Sequence, residues 1–281
     1  MKLSIITDEM TQDLGVIVSF AHAYGLAGVE LRTIDNRPLE KLTESRLKEI
    51  RHVLKEEGLV VCNLAGSFNK CVYSQRAGET EKFKRLLEAS NLLEAPSIRC
   101  FGFLSEEPVS MEDVAEAYVQ PLKQAAACGK ILMLEADPSV TTTNHALLAK
   151  LIRTVGDPKL QAIYDPGNDL YDPLHEIPFP DGYMAVKDYI GHIHIKDAVI
   201  TENGPECVCI GTGKVDYDGL IEQIKNSGYD GFLSLETHYR VGRTISESQM
   251  KLPGGASFTE GGMGACEESM AALIKLLEKH L

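Results

Sequence analysis

Residues 131–165 read ILMLEADPSVTTTNHALLAKLIRTVGDPKLQAIYD. The stretch opens on the apolar run Ile131-Leu-Met-Leu134, which breaks at Glu135, and closes on Ala162-Ile-Tyr164, which breaks at Asp165. Short β-prone apolar runs bounded by polar residues read as strands buried on both faces. With a helical pattern between them, the two runs predict one β-α-β unit with parallel pairing.

Working outward, the unit recurs along the whole chain. Comparable runs lie at residues 3–6, 28–31, 60–64, 98–103, 192–195 and 232–235, so eight strands are expected, starting 25 to 40 residues apart. Helix signals fill the intervals. Leu47, Ile50 and Leu54 follow Thr43 as a candidate cap and stop at Gly58. Leu220, Ile221 and Ile224 end at Gly228, and Met270, Leu273, Ile274 and Leu277 form a stripe for a closing helix. Eight strands each followed by a helix close most simply into a (β/α)8 TIM barrel of the α/β class, with residues 1–281 as one domain. The competing open doubly wound sheet is disfavoured because the first strand leads into Thr7-Asp8-Glu9, not a glycine-rich turn. Residues 240–264, rich in Gly and Ser, follow strand eight and are a candidate lid at the catalytic rim.

Composition narrows the function classes. A 281-residue chain that is 44% hydrophobic has room for one large core. Its 28 Lys and Arg against 41 Asp and Glu leave a net charge of -13, which repels a phosphate backbone, so nucleic acid is not the expected partner. No signal peptide is readable in MKLSIITDEM, and no run approaches the ~18 apolar residues of a membrane span. Seven scattered cysteines suit a reduced, cytoplasmic setting, with Cys207-Val-Cys209 read as strand packing. A small-molecule substrate is expected, and a homodimer is compatible with the long loop after strand eight.

In a (β/α)8 barrel, functional groups sit where strands end. Four consecutive strands end on Glu135, on Asp165, on His192-Ile-His194-Ile-Lys196-Asp197 and on Glu236. Carboxylates next to apolar runs are costly unless paired or bound to a cation. Three oxygen ligands and one imidazole suit a divalent ion, Mn²⁺, Mg²⁺, Co²⁺ or Zn²⁺, with open positions for substrate. Glu135, Asp165, His194 and Glu236 are therefore the candidate metal ligands. His194 lies nearer the rim than His192, which reads either as a partner of the ligand or as an inner barrel residue. Lys196, on the same face, and Asn168, in Asp165-Pro-Gly-Asn168, are candidate substrate contacts. Arg32, Lys70 and Arg240, at strand exits or on the rim loop, are candidate contacts for an anionic group. Asp197 points away and caps a loop, and Gly211-Thr-Gly213 is the turn before a helix.

With those residues in place the chain resembles the xylose-isomerase-like barrel superfamily. The carriers are Ile5-Ile-Thr-Asp-Glu9, Gly28-Val-Glu-Leu-Arg32, Leu134-Glu135, Tyr164-Asp-Pro-Gly-Asn168, Gly191-His-Ile-His-Ile-Lys-Asp197 and Gly228-Tyr-Asp-Gly-Phe-Leu-Ser-Leu-Glu236. The resemblance implies one metal, usually Mn²⁺, Mg²⁺ or Co²⁺, on the four ligands. It also implies that Glu135 and Glu236 are catalytic, exchanging protons with a substrate carbon whose enediolate the metal stabilises. The expected function is isomerisation or epimerisation of a small sugar, sugar phosphate or polyol-derived keto compound. An inosose-type dehydratase and a non-catalytic sugar binder are the alternatives. Ketohexose 3-epimerases have His where this chain has Asn168, and Arg where it has Ile200 and Thr201, which argues against that substrate. The endonuclease IV branch needs further histidines, and residues 60–67, 98–104 and 165–168 have none.

Overall fold

The computed structural model of the protein describes residues 1–280. Eight parallel strands carry the fold: β1 (Lys2–Ile5), β2 (Gly28–Leu31), β3 (Val60–Phe68), β4 (Ser97–Phe101), β5 (Ile131–Glu135), β6 (Leu160–Tyr164), β7 (Ile190–Ile195) and β8 (Phe232–Leu235). They pair in the order β1-β8-β7-β6-β5-β4-β3-β2, and a bridge between Ile6 and Glu30 joins the two ends into a ring. The chain is a (β/α)8 barrel, as expected from the recurrence of strand runs.

Among the described residues seven helices of ten or more residues surround the ring: α1 (Leu14–Ala23), α2 (Glu44–Glu56), α3 (Glu79–Leu92), α4 (Met111–Ala127), α5 (His145–Val155), α6 (Tyr217–Asn226) and α7 (Gly262–Lys279). Their starts have identifiable causes. Thr43 Oγ1 accepts from the Arg46 amide at 3.3 Å, Asn144 Oδ1 from Leu147 at 2.9 Å, and Asp216 Oδ1 from Gly219 at 3.0 Å, each satisfying an amide without a helical partner. The faces turned inward are apolar, as with Leu47, Ile50 and Leu54 on α2. Each such side chain contributes about 1.5–3 kcal/mol on burial.

Two features differ from the sequence expectation. After β6 no single regular α-helix of ordinary length is described: the turn Pro166–Asp169 is followed by an irregular helical stretch made of Pro178–Gly182, Tyr183–Val186 and Lys187–Tyr189. Pro166, Pro173, Pro178 and Pro180 interrupt that connection, and each lacks the amide that helix propagation needs. Two antiparallel hairpins also stand on the rim, pairing Thr33–Ile34 with Arg37–Pro38 and Asp197–Thr201 with Gly204–Val208.

The loop after β8 docks across the mouth. Phe258 is fully buried, with the guanidinium groups of Arg32 and Arg240 each 4.7 Å from its ring centre. Thr259 Oγ1 donates to the Asp8 carbonyl at 2.8 Å. Among the described residues no helix is long and apolar enough to cross a membrane.

A polar column runs through the barrel. Ser97 Oγ donates to Asn63 Oδ1 at 2.7 Å, Asn63 Nδ2 donates to Glu30 Oε1 at 2.7 Å, and His192 Nε2 lies 2.9 Å from Glu30 Oε2. Barrel interiors are dominated by branched apolar residues, so a connected set of buried polar groups stands out here.

Candidate metal centre and active site

Glu135 ends β5, Asp165 follows β6, His194 lies in the last turn of side-chain alternation on β7, and Glu236 follows β8. Parallel pairing sets adjacent strand ends side by side, with Phe101 opposite Glu135 and Ser234 opposite His194. Ring closure therefore gathers four residues from across a hundred positions of chain. One ligand atom from each lies within 4.8 Å of all the others, and all four residues are buried.

The spacing fits a single ion. His194 Nδ1 stands 2.8 Å from Glu135 Oε1, 3.3 Å from Glu236 Oε2 and 4.0 Å from Asp165 Oδ2. Donors about 2.1 Å from one divalent ion lie roughly 3 Å apart when adjacent and roughly 4.2 Å apart when opposite. Three carboxylates and an imidazole are also the donor chemistry such an ion takes.

The outer atoms of these residues are held as well. Arg99 Nη1 donates to Glu135 Oε2 at 2.9 Å and to Glu236 Oε1 at 3.3 Å, while Arg32 Nη1 donates to Glu236 Oε1 at 2.8 Å. Each glutamate thus presents one oxygen toward the cluster and gives the other to arginine. Asp165 Oδ1 accepts from the Gly167 and Asn168 amides at 2.9 and 3.3 Å, which leaves Oδ2 facing the cluster. His194 turns Nε2 to Glu30 Oε2 at 3.1 Å.

Charge states follow from these contacts. Burial disfavours the charged form of His194, but Glu30, Glu135 and Glu236 together lift it well above the usual imidazole value. Burial likewise pushes the Glu236 carboxyl up, and Lys196, His194 and His238 outweigh this and hold it well below the usual range. Lys196 is kept an ammonium against its own burial by Asp165 and Glu236.

A cavity of about 1580 Å³ opens above the cluster, lined by Glu135, Glu236, Lys196, Asn168 and Arg99 among others. Lys196 Nζ contacts Asp165 Oδ2 at 2.7 Å, Glu236 Oε2 at 2.9 Å and Asn168 Oδ1 at 3.0 Å. Arg32, Lys70 and Arg240 also line this cavity, each with its charge engaged. Arg32 pairs with Asp8, Glu9 and Glu236, and Lys70 with Asp137 at 2.7 Å. Arg240 donates to the Phe258 carbonyl at 2.8 Å and pairs with Glu9 at 3.3 Å, so its guanidinium anchors the rim loop. Asp197 faces away and accepts from the Gly211, Gly213 and Val215 amides, shaping the turn before α6.

Arg99 and Glu30 were not among the residues expected from the sequence. Both stand inside apolar strand runs, Ile98-Arg-Cys-Phe101 and Val29-Glu-Leu31. A charge in the middle of a central strand is nearly always partnered, and that was the available signal.

Comparison with known proteins agrees with the barrel fold. The family model described as xylose isomerase-like TIM barrel matches residues 18–258. Among solved structures, the chain is similar to a D-psicose 3-epimerase crystallised in the presence of D-fructose, at 17% identity and a TM-score of 0.75 over 99% of each chain. It is similar to the probable 3-DHS dehydratase AsbF of Bacillus anthracis, at 19% identity and a TM-score of 0.73, covering 98% of this chain and 99% of that one. It is also similar to the IOLI protein with a binding zinc atom, at 17% identity and a TM-score of 0.72, covering 100% of this chain and 99% of that one. With the family model spanning most of its length, the chain belongs to the xylose isomerase-like TIM barrel family.

Proposed function

We propose that the protein is a divalent-metal-dependent isomerase or epimerase of a small sugar, sugar phosphate or polyol-derived keto compound. The observation that carries this reading is the convergence of Glu135, Asp165, His194 and Glu236 at the floor of the cavity. These residues would hold the ion, which when bound would supply positive charge to the oxygens of a substrate carbon acid and so ease loss of its proton.

The chain's own groups supply the rest. Glu135 and Glu236 stand on different strands and share Arg99 Nη1, so one guanidinium sets the distance between the two carboxylates. One removes a proton from the substrate carbon and the other returns one, a division of labour that needs both carboxylates fixed about a bound substrate. Lys196 and Asn168, joined at 3.0 Å, line the cavity where substrate oxygens would lie. The docked loop, with Phe258 beneath it, restricts water on one side of the mouth.

Glu236→Gln is expected to abolish incorporation of solvent deuterium into substrate while leaving the fold intact. Undiminished exchange in that variant rules out the proton-transfer role. A dehydratase on the same scaffold is the second reading, in keeping with the likeness to the probable 3-DHS dehydratase AsbF. A product lighter by one water distinguishes it from an isomer of unchanged mass.

A further inference from the structure

Two buried lysines line the cavity above the carboxylate cluster, and they differ in how many of their protons are engaged. Lys196 Nζ has three acceptors, Asp165 Oδ2, Glu236 Oε2 and Asn168 Oδ1, one for each N–H of an ammonium. Lys70 Nζ has one among the described residues, Asp137 Oδ2 at 2.7 Å. Its other two donors are left for a ligand, although the side chain is only 3% exposed.

The Lys70–Asp137 pair is held from behind. Asp137 Oδ1 accepts from the Ser139 amide at 2.8 Å and from the Ser139 hydroxyl, which leaves Oδ2 to the lysine. Lys70 Nζ lies 4.6 Å from the centre of the Phe101 ring, and Arg99 Cζ lies 5.0 Å from the same centre. Phe101 is in register with Glu135, and Arg99 bonds both Glu135 and Glu236, so the pair adjoins the two carboxylates across a single ring. The loops after β3, β4 and β5 are bridged beneath it, Val72 to Leu104 and Leu104 to Val140, over a small apolar cluster that includes Phe101. Backbone pairing therefore sets where both charges stand.

The other cations on the cavity wall are already balanced. Arg32, Arg99, Lys196, Arg240, Arg243 and Lys251 each pair with a carboxylate. A phosphate brought to Lys70 meets the Asp137 carboxylate on the same ammonium, and like charges at that range repel. A hydroxyl meets no such penalty, since it accepts one hydrogen bond and donates another. Burial pushes the Asp137 carboxyl up, but Lys70 and Ser139 outweigh this and hold it below the usual carboxylate value, so it stays an acceptor.

Resting on the isomerase or epimerase reading above, we propose that Lys70 and Asp137 form the subsite for hydroxyl groups at the non-reacting end of the substrate, and that the substrate is an uncharged polyhydroxylated keto compound, not its phosphate ester. Lys70 donates to one hydroxyl oxygen, and Asp137 accepts from the hydroxyl on the neighbouring carbon. A site whose buried polar groups await hydroxyls also rejects keto compounds that lack them, because the donor and acceptor are then left unpaired.

The test is solvent-deuterium incorporation by the Mn²⁺-loaded full chain into D-ribulose, D-xylulose and D-fructose, and into the terminal phosphate ester of each. At least one free ketose is expected to exchange, with kcat/KM about tenfold or more above that of its ester. Lys70→Gln and Asp137→Asn are expected to raise KM for that ketose about tenfold, by a larger factor than they lower kcat, as loss of a binding contact does. Asp137→Asn also leaves the Lys70 ammonium unbalanced, so the preference for the ketose over its ester is expected to fall about tenfold. That ratio is independent of how much of the variant is folded. Equal or faster exchange into the esters by the unsubstituted chain, an unmoved KM in both variants, or an unmoved ratio in Asp137→Asn overturns the proposal and leaves the isomerase reading standing. Absence of exchange into every probe overturns both.

Discussion

His194 Nε2 lies 3.1 Å from Glu30 Oε2, deep in the barrel, while His194 Nδ1 faces the carboxylate cluster. A carboxylate behind a ligating imidazole fixes the ring's orientation and leaves the other nitrogen for the ion. Losing such a partner typically weakens metal affinity about 10–100-fold. Glu30→Gln is expected to weaken Mn²⁺ binding by that order in a calorimetric titration, with circular dichroism unchanged. Unaltered affinity would show that the polar column serves packing alone.

Arg99 ties Glu135 to Glu236 from inside β4. Arg99→Met leaves both carboxylates short of a buried counter-charge, and breaking such a pair costs about 3–5 kcal/mol. The midpoint of urea unfolding is expected to fall accordingly. Turnover of any substrate is expected to drop about 10²-fold, the scale of a small misplacement of catalytic groups. Arg99→Lys is expected to recover stability better than turnover, since an ammonium is a single point charge where the guanidinium offers a planar fork.

Phe258 anchors the rim loop under two guanidinium groups. Removing the ring of a buried phenylalanine costs about 3–5 kcal/mol, and here the loss falls on loop docking. Phe258→Ala is expected to open residues 240–264 to limited proteolysis before the barrel itself is cut. A cleavage pattern identical to the unsubstituted protein would place the docking energy elsewhere.

The Glu176 carboxyl, half-buried beside Asp169, is pushed up to about 7 by burial and by that neighbouring acid, against the pull of His145. A folded value above the unfolded one, 4.5, means that the native state binds the proton more tightly. The resulting stabilisation is fully present below about 4.5 and is lost as pH rises through about 7. Between pH 5 and 8 the melting temperature is expected to decline less steeply in Glu176→Gln than in the unsubstituted chain. Parallel profiles would remove Glu176 as the titrating group.

Much of the site was legible because a barrel translates sequence position into place. A carboxylate immediately after an apolar run has only the rim to occupy, which is why Glu135, Asp165 and Glu236 were readable from their own strands. His194 was separable from His192 by alternation alone: both point inward, and the later one stands higher. Arg99 was harder to read, because its meaning depends on Glu135 and Glu236, which lie 36 and 137 positions away in the chain. The irregular helix after β6 was obscured because strand spacing records the length of a connection and not its conformation.

From the sequence alone came the strand count, the parallel order and the identity of the four candidate donors, because period-2 burial and strand-end polarity are local properties of the chain. Only the tertiary structure decided what each charge faces. It spent Arg240 on the rim loop, placed Arg99 between two glutamates, and set the Lys196 ammonium against Asp165 and Glu236. Those outcomes depend on ring closure and on through-space distances of a few ångströms, which no spacing along the chain specifies.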